Sequence, residues 1–268
     1  MGHIQGMFIV PHPPILISDL GKGREREAIK TLQGMEETIK KIKEIKPDTL
    51  ILVTPHGEVH QNHLAFLDGD EATGNLGEFG YRNIKMTKKL DSVSIQHLKK
   101  GFKEGNLPGV FSEGSLDHGA FVPLYFLEKA AVESKLIHIS IGMMELKDLY
   151  DLGVRIKGLL EEVEGTFTIV VSGDLSHRLK EDGPYGYDQR GPDFDLRMIN
   201  AIKRCNIRDI INMPEEIYGP AGECGLRPIV LGFGMFGEGK MTSEVLSYEG
   251  PFGVGYMNAW VQKTDLGG

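Results

Sequence analysis

Four histidines and one glutamate stand beside turn-forming residues at separate points of the chain, and together they could bind a metal ion and move a proton. Imidazole and carboxylate groups are donors that iron and zinc use in proteins, and a neutral imidazole also exchanges protons near pH 7. The pattern therefore predicts an enzyme with a metal site. The five points are Pro11-His12-Pro13-Pro14, Pro55-His56-Gly57, Asp117-His118-Gly119, Asp174-Leu175-Ser176-His177 and Gly222-Glu223-Cys224.

Short apolar runs directly precede three of these points and predict buried β-strands. The runs are Met7–Val10, Thr49–Val53 and Phe167–Val171, and turn-forming residues end each of them. In open α/β sheets, ligands bind beyond the carboxyl ends of the strands. We therefore expect the histidines that follow these strands to face one crevice.

Strand and helix patterns alternate along all 268 residues, without a linker or repeat. The predicted fold is a single domain over 1–268, a three-layer αβα arrangement with a mostly parallel central sheet and antiparallel edge strands. Two closing strands, about Ser243–Tyr248 and Gly253–Val261, supply the antiparallel edge. Helices are predicted over 24–45, 91–102, 122–131, 146–163, 194–204 and 207–212, and from about Glu223 through Leu231.

The segment from Glu58 to Asn83 is polar and rich in glycine. It predicts a long loop or a small excursion of strands over the crevice, because loops of this length are often functional. His60 and His63 in this segment are candidates for lining or covering the site.

Composition narrows the class of partner. A formal net charge of −8 argues against nucleic acid or an anionic membrane as the main partner. Two cysteines exclude a disulfide framework and fit a reducing compartment. Without a membrane-length apolar run or a signal-peptide pattern, a cytoplasmic location is expected.

Glu223 lies where a helix is predicted to begin, and there the helix dipole should keep its carboxylate ionised. An ionised carboxylate suits a metal ligand. A single glutamate at the start of a helix is, however, more commonly a structural residue without a metal. Two imidazoles and one carboxylate form the ligand set of non-haem Fe(II) oxygenases. The same set serves catalytic zinc, so the ligands alone do not choose the metal.

Two other patterns are assigned structural roles. Gly232-Phe233-Gly234-Met235-Phe236-Gly237 has dinucleotide-binding spacing but follows a helical stretch instead of a strand, so it predicts tight packing or a turn. His138 lies inside an apolar strand and is predicted to be a core histidine whose hydrogen bonds are satisfied.

The five motifs, in this order from His12 to Glu223, resemble the class III extradiol ring-cleavage dioxygenases, and above all the catalytic β-subunit of protocatechuate 4,5-dioxygenase. The resemblance implies Fe(II) held by His12, His56 and Glu223. It further implies that His177 is the catalytic acid and base, that His118 lines the pocket, and that the substrates are a small aromatic diol and O2. In that family a separate small subunit covers the active site; here the glycine-rich segment or a partner could do so.

The chain also resembles the Memo proteins, which share these histidine positions without established ring cleavage. Two alternatives to a dioxygenase therefore stay open: a Memo-like metal- or peptide-binding protein, and a zinc-dependent hydrolase, for which Ser172, Asp174 and His177 lack the usual nucleophile motif. AMMECR-like and radical-SAM proteins, which accompany Memo-like chains, are partners that this resemblance implies. Whether the chain forms a homo-oligomer also stays open.

Overall fold

The computed structural model describes residues 1–264, which form a main sheet of eight strands flanked by helices. The strands are β1 Gly2–Val10, β2 Thr49–Thr54, β3 Leu64–Leu67, β4 Glu71–Leu76, β5 Tyr81–Lys89, β6 Gly109–Ser112, β7 Ser115–Leu116, β8 Lys135–Ser140, β9 Gly165–Ser172, β10 Met241–Glu249 and β11 Tyr256–Lys263. The α-helices are α1 Ser18–Gly21, α2 Ile29–Ile45, α3 Ser92–Glu104, α4 His118–Lys129, α5 Leu146–Glu161, α6 Arg190–Lys203, α7 Ile207–Ile211, α8 Glu215–Ala221 and α9 Leu226–Phe236.

The centre of the main sheet is parallel and its two sides are antiparallel. The strand order is β10-β11-β1-β9-β2-β8-β3-β6, in which β1, β9, β2 and β8 run in one direction. Strand β11 pairs antiparallel with β1, and β3 pairs antiparallel with β8. Helices α2 and α4 pack against the sheet, as do α5 and α9, which also pack on each other. The predicted three-layer αβα class is confirmed.

The four central strands are buried because helices cover both faces of the sheet. Strand β2 is buried over its whole length, and β9 is buried from Phe167 to Ser172. Continuous apolar runs of this kind are typical of parallel strands between two helical layers. The carboxyl ends of β1, β9, β2 and β8 therefore share one edge, from which the site residues project.

The glycine-rich segment from Glu58 to Asn83 contains strands. Of the two predicted alternatives, a long loop or a small excursion of strands, the structure shows the second. Strand β3 joins the main sheet, whereas β4 and β5 form a three-stranded sheet with β7. Alternating burial along β4 places one of its faces on the core.

The last long helix begins later than predicted. Helix α9 starts at Leu226 and contains most of the glycine-phenylalanine motif. A Cβ atom on Gly234 would lie 2.2 Å from the carbonyl oxygen of Tyr150 in α5. The motif therefore serves tight helix packing. None of the helices within residues 1–264 combines the length and apolar character needed to cross a bilayer.

Candidate metal centre and its cavity

The turns after β1 and β2 bring His12 and His56 together at the carboxyl edge of the parallel strands. Their Nε2 atoms are 3.1 Å apart. The ring of His118, at the first turn of α4, lies with its centroid 4.2 Å from that of His56. His177, in the loop after β9, lines the same cavity. The four histidines therefore meet at one crevice, as predicted for His12, His56 and His177 from their positions after the strands.

Hydrogen bonds fix the orientation of the His12 ring. Its backbone N–H donates to Asp174 Oδ1 at 2.9 Å, and its Nδ1 lies 2.9 Å from Ser172 Oγ. The Ser172 hydroxyl donates its own proton to the Gly119 carbonyl oxygen at 2.5 Å, so it accepts the proton on His12 Nδ1. Nε2 consequently presents its lone pair towards His56, which is the form of imidazole that binds metals.

A chain of hydrogen bonds connects the core with His56. His138 Nε2 lies 2.9 Å from Asp117 Oδ2, Thr54 Oγ1 donates to Asp117 Oδ1 at 2.7 Å, and the His56 backbone N–H donates to the Thr54 oxygen at 3.2 Å. Burial alone would raise the pKa of Asp117, but the hydrogen bonds from His138, Thr54 and Ala120 outweigh it and hold this pKa well below its ordinary value.

His138 is thus a core histidine, as predicted, but it is satisfied on one nitrogen only. It is 2% exposed, and its Nδ1 has no hydrogen-bond partner within the described residues. Its contribution is to hold Asp117, and through Asp117 the turn that presents His56.

The electrostatics of the histidine pair fit a bound cation. Burial lowers the pKa of both His12 and His56 to about 3, and the neighbouring imidazoles add to the effect. Both rings are therefore neutral at pH 7. Two nitrogens bound to one metal ion at about 2 Å stand about 3 Å apart, close to the observed 3.1 Å. The pair fits a transition-metal ion.

Cys224 supplies a third donor atom beside this pair. Within residues 1–264, the ligand atoms of His12, His56 and Cys224 form a group in which all lie within 4.8 Å of one another. The Cys224 Sγ atom is 3.7 Å from His12 Nε2. Burial raises the pKa of this thiol well above its ordinary value, and the charge of Asp174 adds to the shift. A bound metal ion would reverse this preference for the protonated form.

Glu223, the predicted third metal ligand, has its carboxylate at the start of α9. Its Oε2 accepts the Leu226 N–H at 2.6 Å, and burial raises its pKa to about 7, so the expected full ionisation is not found. The reason is local: α9 begins three residues after Glu223, whose carboxylate takes a free N–H group of the helix start. The thiol of Cys224, next in sequence, lies beside the histidines instead. The role of Glu223 as a ligand stays a prediction.

Two glycines allow the turn that contains Glu223 and Cys224 to reach the histidines. A Cβ atom on Gly173 would lie 2.4 Å from the Gly225 Cα atom, so neither position has space for a side chain. Beside this crossing, the Cys224 N–H donates to the Asp174 carbonyl oxygen at 3.2 Å. The crossing therefore joins the loop after β9 to the start of α9.

A cavity of about 870 Å³ opens above His12 and His56, with His118 and His177 on its walls. Burial lowers the pKa of His177, so this ring is neutral at pH 7. His118 Nδ1 lies 3.1 Å from Glu78 Oε1; a neutral ring donates to this carboxylate and keeps Nε2 as an acceptor.

His60 and His63 are not among the described residues that line the cavity. His60 instead bonds to Glu58, with 3.1 Å between Nε2 and Oε1. Neither histidine therefore covers the site in the way the sequence suggested.

Two exposed aromatic rings stand against the wall histidines. Tyr185 stacks on His177 with the ring centroids 5.1 Å apart, and Phe79 stands edge-on to His118 with the centroids 5.4 Å apart. Neither residue stands out in the sequence, because an isolated aromatic residue in a loop has no periodic pattern. The available signal was the flanking glycines at 77, 80, 183 and 186.

The fold and the site define an α/β protein whose histidines cluster at the carboxyl edge of the parallel strands. Residues 6–258 match the family described as the catalytic LigB subunit of aromatic ring-opening dioxygenase. Because the match spans nearly the whole chain, the chain belongs to this family, and the predicted resemblance is confirmed.

Three relatives illustrate the family. The chain is 35% identical over 263 residues to "Protein CA_C1420" of Clostridium acetobutylicum, covering 94% of this chain and 56% of that protein. It is 26% identical to 3,4-dihydroxyphenylacetate 2,3-dioxygenase of Escherichia coli, covering 81% and 83% of the two chains. It is 24% identical to a 4,5-DOPA dioxygenase extradiol-like protein of Schizosaccharomyces pombe, covering 64% and 59%. The chain thus spans about half the length of the first of these relatives.

A solved structure shares the fold. The uncharacterized protein JW3007 from Escherichia coli K12 superposes with a TM-score of 0.63 at 12% identity, covering 96% of this chain and 99% of that chain. At this identity the likeness concerns the fold alone.

Proposed function

We propose that this chain is an extradiol-type dioxygenase that uses Fe(II) and O2 to cleave a small catecholic substrate. The observation that carries the proposal is the desolvated His12–His56 pair, with Nε2 atoms 3.1 Å apart at the floor of a cavity whose walls contain His118 and His177. Membership of the LigB family and the names of the two dioxygenase relatives support the same reaction type.

His12 and His56 would hold the iron, with Glu223 as the third ligand that the family resemblance implies. When bound, Fe(II) would supply a Lewis acid for the diol oxygens and a centre that reacts with O2. The Leu226 N–H occupies only Oε2 of Glu223, and the raised pKa of about 7 means that binding of this carboxylate to the ion would also release a proton near neutral pH.

His177 would accept the proton of a substrate hydroxyl and return it to the opened product. Burial lowers its pKa, so at pH 7 its ring is the neutral acceptor that such a transfer needs. His118, held at Nδ1 by Glu78, would present Nε2 to the substrate. Diol and base would then lie in one desolvated space, where their orientation lowers the barrier.

The test is anaerobic loading with Fe(II), followed by O2 uptake with a panel of catechols. We expect uptake and a ring-opened chromophore with at least one diol. His177→Ala should lower the turnover number about 100-fold or more while the iron content stays unchanged. Stoichiometric iron without uptake from any diol would reject the proposal.

A second candidate is a metal-binding protein without ring cleavage, and the position of Cys224 favours it. Two imidazoles and a thiolate suit zinc or copper as well as iron, and the Cys224 sulfur is 3.7 Å from His12 Nε2. Glu223→Gln and Cys224→Ser separate the candidates. Lower iron affinity in Glu223→Gln supports the dioxygenase ligand set. Loss of metal only in Cys224→Ser supports the second candidate, and ester or amide turnover with tightly bound zinc would identify a hydrolase instead.

A further inference from the structure

The cavity is larger than a single-ring diol requires. Its volume is about 870 Å³, whereas a cavity of about 150 Å³ is enough to hold benzene. A ring seated above His12 and His56 would leave most of the space unfilled. The empty part lies towards the mouth of the cavity, the side formed by its exposed lining residues. The groups at the mouth should therefore contact a substituent on the ring.

Carboxylates outnumber cations among the exposed residues that line the cavity. Glu27, Glu78 and Asp182 are the acidic ones, and Arg24 and Lys180 the basic ones. This ratio makes the mouth electronegative and disfavours a substituent with a negative charge.

Both cations already have partners. Arg24 Nε bonds to Glu27 Oε1 at 3.0 Å, and Lys180 Nζ donates to the Pro251 carbonyl oxygen at 2.8 Å. By contrast, within residues 1–264 Asp182 makes no side-chain hydrogen bond or ion pair, and Glu78 uses one oxygen, towards His118. Lys180 keeps its charge, since its partner is a neutral carbonyl, but Glu78 and Asp182 are two carboxylates without a Lys or Arg partner against this one cation.

Aromatic rings at the mouth also favour a cation. The faces of aromatic rings attract positive charge, and Arg24 already lies over the Phe252 ring, 5.2 Å from its centroid. Tyr185, 60% exposed, and Phe79, 39% exposed, add further rings to the cavity that Glu78 and Asp182 also line.

We propose that the site selects aromatic diols whose ring substituent ends in a protonated amine, and that it discriminates against those that end in a carboxylate. The inference rests on the proposed function for the diol, and its new content is the charge of the substituent. The ring would lie between the wall histidines, with the ammonium group among Glu78, Asp182 and the aromatic rings.

The experiment measures binding of monophenols, which lack the second hydroxyl that ring cleavage needs. The probes are tyramine, its neutral analogue 4-(2-hydroxyethyl)phenol, and 4-hydroxyphenylacetate, titrated calorimetrically into the purified protein under argon. We expect tyramine to bind about tenfold tighter than the carboxylate, with the alcohol between them. The ratio should shrink at high salt because the mouth is exposed.

Three variants locate the preference. Asp182→Asn and Tyr185→Leu should each lower the tyramine-to-carboxylate affinity ratio about threefold. The control is Glu133→Gln, which removes a carboxylate from a cleft beside the amino end of β8 and should leave the ratio unchanged. Equal or reversed affinities in the parent protein, undetectable tyramine binding, or a ratio that neither variant changes would each overturn the proposal.

Because the binding experiment does not depend on ring cleavage, it tests the charge preference separately from the proposed reaction. If tyramine is preferred but no catechol supports O2 uptake, the substituent preference stands and the dioxygenase proposal fails. If catechols turn over while carboxylate probes bind best, the reaction stands and the charge preference fails.

Discussion

At the floor of the cavity His12 is 3% exposed, whereas at the mouth Tyr185 is 60% exposed. The floor is held by hydrogen bonds that run through Ser172, Asp174 and Asp117 into the core. The aromatic rings at the mouth lie on glycine-containing loops and contact the floor through ring packing. Changes to the floor should therefore alter metal binding and stability, whereas changes to the mouth should alter affinity for the organic ligand.

Among the changes that compare the support of the floor with the mouth, the largest effect is expected from Asp117→Asn, which weakens the floor. The substitution removes the charge that organises His138, Thr54 and the start of α4. Metal affinity should fall about tenfold or more, and the free energy of unfolding should fall by about 2 kcal/mol. Chelator competition and urea denaturation measure the two quantities.

The matched control is Asp151→Asn, which removes an exposed carboxylate that pairs with Lys147 on α5. Neither quantity should change in this variant. Undiminished metal affinity in Asp117→Asn would mean that the floor does not depend on this chain of hydrogen bonds.

An effect visible only as pH dependence is expected at Asp195, which accepts the Ser176 N–H next to His177 in the chain. Burial raises the pKa of Asp195 to about 7, against the hydrogen bonds from Tyr248 and Ser176. The folded state then binds a proton that the unfolded state has lost between about pH 4 and pH 7, so this group makes stability fall as pH rises through that window. Asp195→Asn removes this contribution.

The measurement is the difference in unfolding free energy between parent and Asp195→Asn, since the other titrating groups cancel in it. The stability of the parent relative to the variant should decrease by roughly 1 kcal/mol per pH unit from pH 4.5 to 7 and stay level above it. A difference that is flat or increases over this window would show that Asp195 is ionised in the folded protein.

The smallest effect is expected at the mouth, from Phe79→Leu. The substitution keeps an apolar side chain but removes the ring that stands against His118. The KM for a catechol should rise about threefold, with metal affinity and the turnover number unchanged. A change in metal affinity would contradict the division between floor and mouth.

The fold was predictable because its signals are local and repeated. Apolar runs before Pro11 and Pro55 identified two central strands, and parallel strands place their carboxyl ends at one edge. That geometry alone brought His12, His56 and His177 to one crevice. The family resemblance followed from the order of the motifs.

The donor beside the histidines was not predictable in the same way. Glu223 and Cys224 are adjacent, and which of them faces the pair depends on where α9 begins, a boundary shifted by three residues from the prediction. Phe79 and Tyr185 were missed because their positions depend on how loops fold onto the finished sheet, and loop packing leaves no period in the sequence.

The crossing of Gly173 and Gly225 bears on how the metal-binding residues of such a site can change during evolution. It anchors a short turn in which a hard oxygen donor and a soft sulfur donor are neighbours in sequence. A single-residue insertion in this turn would change which of them meets the histidines, and a deletion would leave only one of the two donors, without disturbing the sheet. Evolution could in this way convert an oxygen-activating centre into a thiolate site for a softer metal, or the reverse, in one step.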